Sequence, residues 1–158
     1  MPVHETHVRV RYAETDQGGV VYNASYLVYF EVGRTEMMRA GGLPYRELEE
    51  RGIVLPVVES HVRYRAPARY DDLLAIESRV SEVRRVRMRI DTRISDAGSG
   101  RLLAEGWVWL ACTRSGAPAA FPDDLRGRLE NLLDGKNSDS ESSASGDAGS
   151  GIGRKLEE

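Results

Sequence analysis

Residues 12–39, YAETDQGGVVYNASYLVYFEVGRTEMMR, constrain this chain more than any other stretch. A strand end runs into a polar turn with paired glycines, and the turn feeds a helix that is apolar around most of its circumference. Tyr26, Tyr29, Phe30, Gly33 and Met37 share one face at i, i+3, i+4 spacing. Leu27, Val28, Val32 and Met38 carry the apolar surface well round the cylinder. Such a helix is expected to be buried on several sides, so the rest of the chain must cover it. Asn23 suits an N-cap, which predicts a start near Asn23 or Ala24, and Gly41-Gly42 is expected to stop the helix.

The flanking segments supply the cover. Glu5 to Tyr12 alternates, with Val8, Val10 and Tyr12 on one face and His7, Arg9 and Arg11 on the other, as in a half-buried strand. Pro44 to Arg51 reads as a short helix with proline at its start. Ile53 to Arg65, Leu73 to Arg84, Arg85 to Ser95 and Arg101 to Thr113 read as strands, and Asp96 to Gly100 as a hairpin loop. Pro122 to Leu133 reads as a C-terminal helix. The fold class is therefore α+β: a five-stranded antiparallel sheet wrapped round a long central helix. One helix cannot cover both faces of such a sheet, so its other face or an edge is left for solvent or a partner.

Charge divides the chain in two. The net charge of −3 lies wholly after residue 133, where six acids face three bases, and residues 1–133 carry 19 of each. Every base in that first part is arginine. A neutral body gives no reason to expect nucleic-acid binding. Residues 1–133 are expected to form one domain. Residues 134–158 lack aromatics and are rich in Ser, Gly and acids, so they are expected to be a disordered tail. No apolar run is long enough to span a bilayer and no secretory leader is visible, so a cytoplasmic setting is expected. One cysteine, Cys112, excludes an internal disulfide and an all-cysteine metal site; it shares a strand face with Leu110 and reads as an inert core thiol.

Asp16 is the carboxylate beside Gly18 and Gly19. Taken alone, it reads as a turn residue that bonds its own backbone. Its neighbourhood adds a second reading. The start of the following helix offers unpaired N–H groups around Tyr22, Asn23 and Ala24, suited to a developing oxyanion. A carboxylate beside such donors is the minimum equipment for acyl transfer. Elsewhere, Arg85, Arg87 and Arg89 share a strand face, which is either a solvated face or an anion site. Glu59 lies on a strand face with His61 and suits a cross-strand arginine. His4, His7 and His61 have no metal spacing, and Ser25 has no histidine nearby in sequence.

The stretch ETDQGGVVYNASYLVYFEVGRTEM resembles the signature of the 4-hydroxybenzoyl-CoA thioesterase-like branch of the hotdog-fold enzymes. It is especially similar to the acyl-CoA thioesterases associated with the Tol–Pal system. RYRAPARYDDLL and EVRRVRMRI carry the same resemblance more weakly, and together the likeness spans roughly residues 5–130. The resemblance implies hydrolysis of acyl-CoA without a metal or bound cofactor, in dimers or tetramers with active sites at subunit interfaces. It places the catalytic carboxylate at Asp16, the oxyanion donor at the Asn23 backbone N–H, and a loop glycine at Gly19. It places coenzyme A contacts at Arg84 and Arg85. Tyr22 and Tyr26 are expected at the acyl pocket or in the core. Many Tol–Pal-associated relatives carry histidine where this chain has Asn23, which leaves that position only a backbone role. An enoyl-thioester hydratase and a non-catalytic acyl-thioester-binding module are the alternatives; the first lacks the expected Asp and His pair.

Overall fold

The computed structural model describes residues 2–134. The expected tail falls outside them except for Asp134, which ends the last helix. Chain order is β1 (His4–Arg9), a 3₁₀ turn (Tyr12–Glu14), α1 (Ser25–Ala40), α2 (Tyr45–Glu50), β2 (Ile53–Val54), β3 (Val57–Tyr64), β4 (Leu73–Val83), β5 (Arg87–Asp96), β6 (Leu102–Ala111), β7 (Thr113–Arg114), β8 (Ala117–Pro118) and α3 (Asp123–Asp134). Five strands form one antiparallel sheet in the order β1-β4-β5-β6-β3. A second sheet joins the short strands β2-β7-β8. The α+β class holds, but two details of the expectation need correction. The central helix has 16 residues, an ordinary length rather than a long one. The described residues hold eight strands rather than five: Ile53 to Arg65 breaks into β2 and β3, Arg101 to Thr113 breaks into β6 and β7, and β8 was not expected, although the main sheet keeps the expected five strands. Pro56 has no N–H to continue the first ladder, although its carbonyl still accepts from Ala111 N–H at 3.0 Å.

Alternation sets the core. Leu74, Ile76 and Val80 on β4 and Met88, Ile90 and Ile94 on β5 are buried. Register places Ile76 beside Ile94 and Val80 beside Ile90. Burying such a side chain contributes about 1.5–3 kcal/mol. Helix α1 meets this face at Gly33, where a Cβ would lie 2.5 Å from Ser78 Oγ and 2.6 Å from Ile76 Cγ2. The helix buries Tyr26, Tyr29, Phe30, Met37 and Met38. The helix is buried on several sides as expected, but its apolar surface is left open at Leu27 and Val28, which are 40% and 52% exposed, because the described residues cover only part of the helix surface. Tyr12 is also exposed, because β1 ends at Arg9; its ring meets Tyr70 edge-on at 5.5 Å.

Burial raises the phenol pKa of Tyr26, Tyr29 and Tyr45 above the ordinary value. The folded protein therefore keeps protons that the unfolded chain releases above about pH 10. Their contribution to stability is full below that pH and is lost as pH rises through the folded values. No lysine lies in residues 2–134 to titrate alongside them. Thermal unfolding followed by circular dichroism is expected to show a falling Tm from pH 10 to 11, and Tyr29→Phe is expected to shrink that fall. A flat Tm over this range would contradict the assignment.

Candidate active site

The loop between the 3₁₀ turn and α1 is closed on itself. Thr15 and Val21 form an antiparallel bridge, and Asp16 N–H donates to the Val20 carbonyl at 2.9 Å. The Asp16 side chain is exposed, and its Oδ1 accepts from Gly18 N–H at 2.7 Å. This is the turn geometry expected of a lone aspartate, and it leaves Oδ2 without a hydrogen-bond partner among the described residues. A Cβ on Gly18 would fall 2.9 Å from Asp16 Oδ1, so the first glycine leaves room for the carboxylate. Gly19 has φ +74°, which favours glycine.

At the head of α1 the expected donors divide. Tyr22 N–H is already used, donating to the Glu14 carbonyl at 2.8 Å. Among the described residues, Asn23 and Ala24 N–H have no partner. Asn23 does not cap the helix with its side chain; Ala24 occupies the N-cap, with no side-chain bond there. Both free N–H groups therefore sit at the positive end of α1.

Beside them lies a cleft of about 300 Å³, lined by Val20, Val21, Asn23, Tyr26, Tyr64 and the Arg65–Pro67 segment. Tyr26 is buried and forms part of this wall, while Tyr22 is 51% exposed and does not. Asp16 and Gly19 do not line it either; they are joined to it through Val20 and Val21. Desolvation raises the pKa of the Tyr26 hydroxyl. That oxygen accepts from Ala68 N–H at 3.3 Å.

Several residues of this region escaped sequence reasoning. Glu14 is buried, and its Oε1 accepts from Arg11 N–H at 2.9 Å. Ser25 Oγ donates to the Glu14 carbonyl at 3.3 Å, so the serine braces the loop and is paired with no histidine. Arg69 Nη1 donates to the Gly19 carbonyl at 3.3 Å, and Tyr64 Oη donates to the Asn23 carbonyl at 2.9 Å. The available signal was Tyr64 itself, a residue with a polar tip on the same face of β3 as the partly buried Val62.

Arg84 and Arg85 lie elsewhere, on the β4–β5 hairpin. Arg84 pairs with Glu82 and stacks over Trp109 at 4.9 Å, with Arg87 at 4.4 Å from the same ring. Arg85 is exposed and has no carboxylate within ion-pair distance among the described residues. On the outer sheet face His61 stacks on Trp107 at 5.6 Å, and Glu59 is exposed without an arginine partner among the described residues. Among the described residues no group of three His, Cys, Asp or Glu side chains could hold a metal, and no helix is long and apolar enough to cross a membrane.

The sequence profile of the Thioesterase-like superfamily matches residues 10–129. The chain belongs to this family. Acyl-CoA thioesterase YbgC of Haemophilus influenzae is 36% identical over 128 residues, covering 79% of this chain and 93% of that protein. YneP of Bacillus subtilis is 39% identical over 82 residues, covering 52% of this chain but only 59% of its own length. The crystal structure of hypothetical protein TT1821 from Thermus thermophilus superposes with a TM-score of 0.78 at 38% identity, covering 81% of this chain and 98% of that one. This thioesterase-like chain thus carries the hotdog architecture, with the Asp16 loop and the head of α1 inside the matched region.

Proposed function

We propose that this thioesterase-like protein hydrolyses acyl-CoA thioesters to the free acid and coenzyme A. The observation that carries the reading is the pair of unpartnered N–H groups, Asn23 and Ala24, at the positive end of α1, where Asn23 lines a cleft. The thioester carbonyl oxygen accepts from Asn23 N–H. Asp16 attacks the carbonyl carbon or takes a proton from the attacking water; either route places negative charge on that oxygen and needs the same donors. The C–S bond breaks and the thiolate leaves, taking up the proton released by water to give coenzyme A. In direct attack the Asp16–acyl anhydride is then split by water, which frees Asp16 and the acid; in the general-base route water itself supplies the new oxygen. The substrate brings its own coenzyme, and no metal or bound cofactor enters this scheme. The setting we infer is cytoplasmic.

The functional unit in this reading is a homodimer or homotetramer with its sites between subunits. β3 is a sheet edge with one side unpaired, and Val57 and Val58 on it are exposed, as are Leu27 and Val28 on α1. The geometry of the arginines supports the same arrangement. β4 separates the Arg84–Arg85 hairpin from the loop that touches Gly19, and its 11 residues span roughly 35 Å. Arg84 and Arg85 are thus suited to hold the phosphates of an acyl-CoA whose thioester lies in another subunit's site. Arg85, with no carboxylate partner, is the freer of the two.

The test is a panel of aliphatic and aromatic acyl-CoAs with free-thiol detection. Thiol release from at least one member is expected. Tight binding without release across the panel would favour a non-catalytic acyl-thioester module. Formation of 3-hydroxyacyl product from crotonyl-CoA would favour a hydratase, a reading that His61, stacked on Trp107 and outside the cleft lining, does not support.

A further inference from the structure

RYRAPARYDDLL makes a coherent set of contacts that the hydrolytic scheme does not yet use. From this one segment, Tyr64 Oη donates to the Asn23 carbonyl at 2.9 Å, the Ala68 carbonyl accepts from Val21 N–H at 2.8 Å, Ala68 N–H donates to Tyr26 Oη at 3.3 Å, and Arg69 Nη1 donates to the Gly19 carbonyl at 3.3 Å. Four hydrogen bonds therefore join residues 64–69 to residues 19–26. The Tyr64 contact is the one that reaches the peptide of interest. In a trans peptide the carbonyl and the following N–H point in opposite directions. Holding the Asn23 carbonyl fixes the plane that also carries the free Ala24 N–H.

We propose that Tyr64 is a positioning residue that aims the Ala24 N–H as a second oxyanion donor beside that of Asn23. The inference rests on the hydrolase reading. The Asn23 N–H is held separately, since its own peptide is anchored by Ser25 N–H donating to the Tyr22 carbonyl at 2.9 Å. The Asn23 carbonyl also accepts from Tyr26 N–H at 3.4 Å, so the Tyr64 hydroxyl, at 2.9 Å, is the shorter of two holds on one donor of two. Donation to the Asn23 carbonyl also polarises the peptide, which makes the Ala24 N–H a better donor. The Tyr64 ring has a distinct job: it meets Tyr26 edge-on at 5.3 Å and forms part of the cleft wall.

Tyr64→Phe keeps the ring and removes only the hydroxyl. Because the side chain is half exposed, the variant is expected to fold. Removing an oxyanion donor outright typically costs 10²–10³ in kcat, so loosening one of two is expected to lower kcat about 10-fold, with KM within about twofold. Tyr64→Leu removes the wall as well and is expected to raise KM in addition. The amide resonance of Ala24 is expected to shift and exchange faster in Tyr64→Phe, while that of Tyr22, bound to Glu14, stays in place. If wild type hydrolyses acyl-CoA and Tyr64→Phe keeps kcat within twofold, the positioning role is wrong and the hydrolase reading stands. A rise in KM at unchanged kcat would make Tyr64 a wall residue only, and an unmoved Ala24 amide would likewise overturn the proposal. Absence of turnover by wild type would instead remove the hydrolase reading, and the catalytic role of Tyr64 with it.

Discussion

Gly106→Ala is expected to abolish the folded state or destabilise it by about 4 kcal/mol or more. A Cβ at this position would lie 1.9 Å from the His61 carbonyl oxygen, 2.9 Å from the His61 carbonyl carbon and 3.0 Å from Phe30 Cε2. Two of those atoms belong to backbone. Gly106 pairs with Val62 on one side and Thr92 on the other, so β6 cannot move away from β3 without breaking its ladder to β5. The same ladder continues to Tyr64 opposite Ala104, so the close approach of β3 to β6 also sets where Tyr64 meets α1. Urea unfolding measures the effect directly. Gly52→Ala is the control: a Cβ there meets nothing within 4 Å, and only the φ of +74° opposes it, at roughly 1–2 kcal/mol. Equal stability of Gly106→Ala and wild type would show that the strands are not held this tightly.

Asp16→Asn is expected to lower kcat on the best acyl-CoA by about 100-fold or more while stability changes by less than about 1 kcal/mol. The amide oxygen of asparagine can still accept from Gly18 N–H, so the turn survives. What is lost is the negative charge and the ability to attack or to accept a proton from water. KM is expected to change little, because Asp16 does not line the cleft. Full activity in this variant would return Asp16 to the role of a turn residue. Thermal unfolding run on the same preparation separates loss of chemistry from loss of fold.

Local pattern carried much of this account. The period-two alternation of LLAIESRV and RMRIDTRI gives the buried rows of β4 and β5 directly, because a half-covered sheet admits little else. The Asp16 loop was legible because paired glycines and a following apolar helix announce a tight turn at a helix head. Exposure of Leu27 and Val28 was not legible, since apolar composition tells how much surface needs cover and not whether one copy of the chain supplies it. The break at Pro56 is present in the sequence as a missing donor, but the apolar residues on both sides of it continue the strand pattern. A glycine inside a strand signals close approach, yet only coordinates show that the approaching atom at Gly106 is the His61 carbonyl. Tyr64 and Arg69 escaped because their roles depend on tertiary contacts: Tyr64 reaches the helix head across 41 residues and Arg69 reaches Gly19 across 50.

The most direct measurement is the position of the thioester carbonyl in a crystal structure of Asp16→Asn with a bound acyl-CoA. The carbonyl oxygen is expected about 2.7–3.1 Å from the Asn23 nitrogen, with the residue 16 side chain facing the carbonyl carbon. An acyl-CoA bound with its carbonyl away from the head of α1, or with residue 16 turned from it toward solvent, would contradict the account.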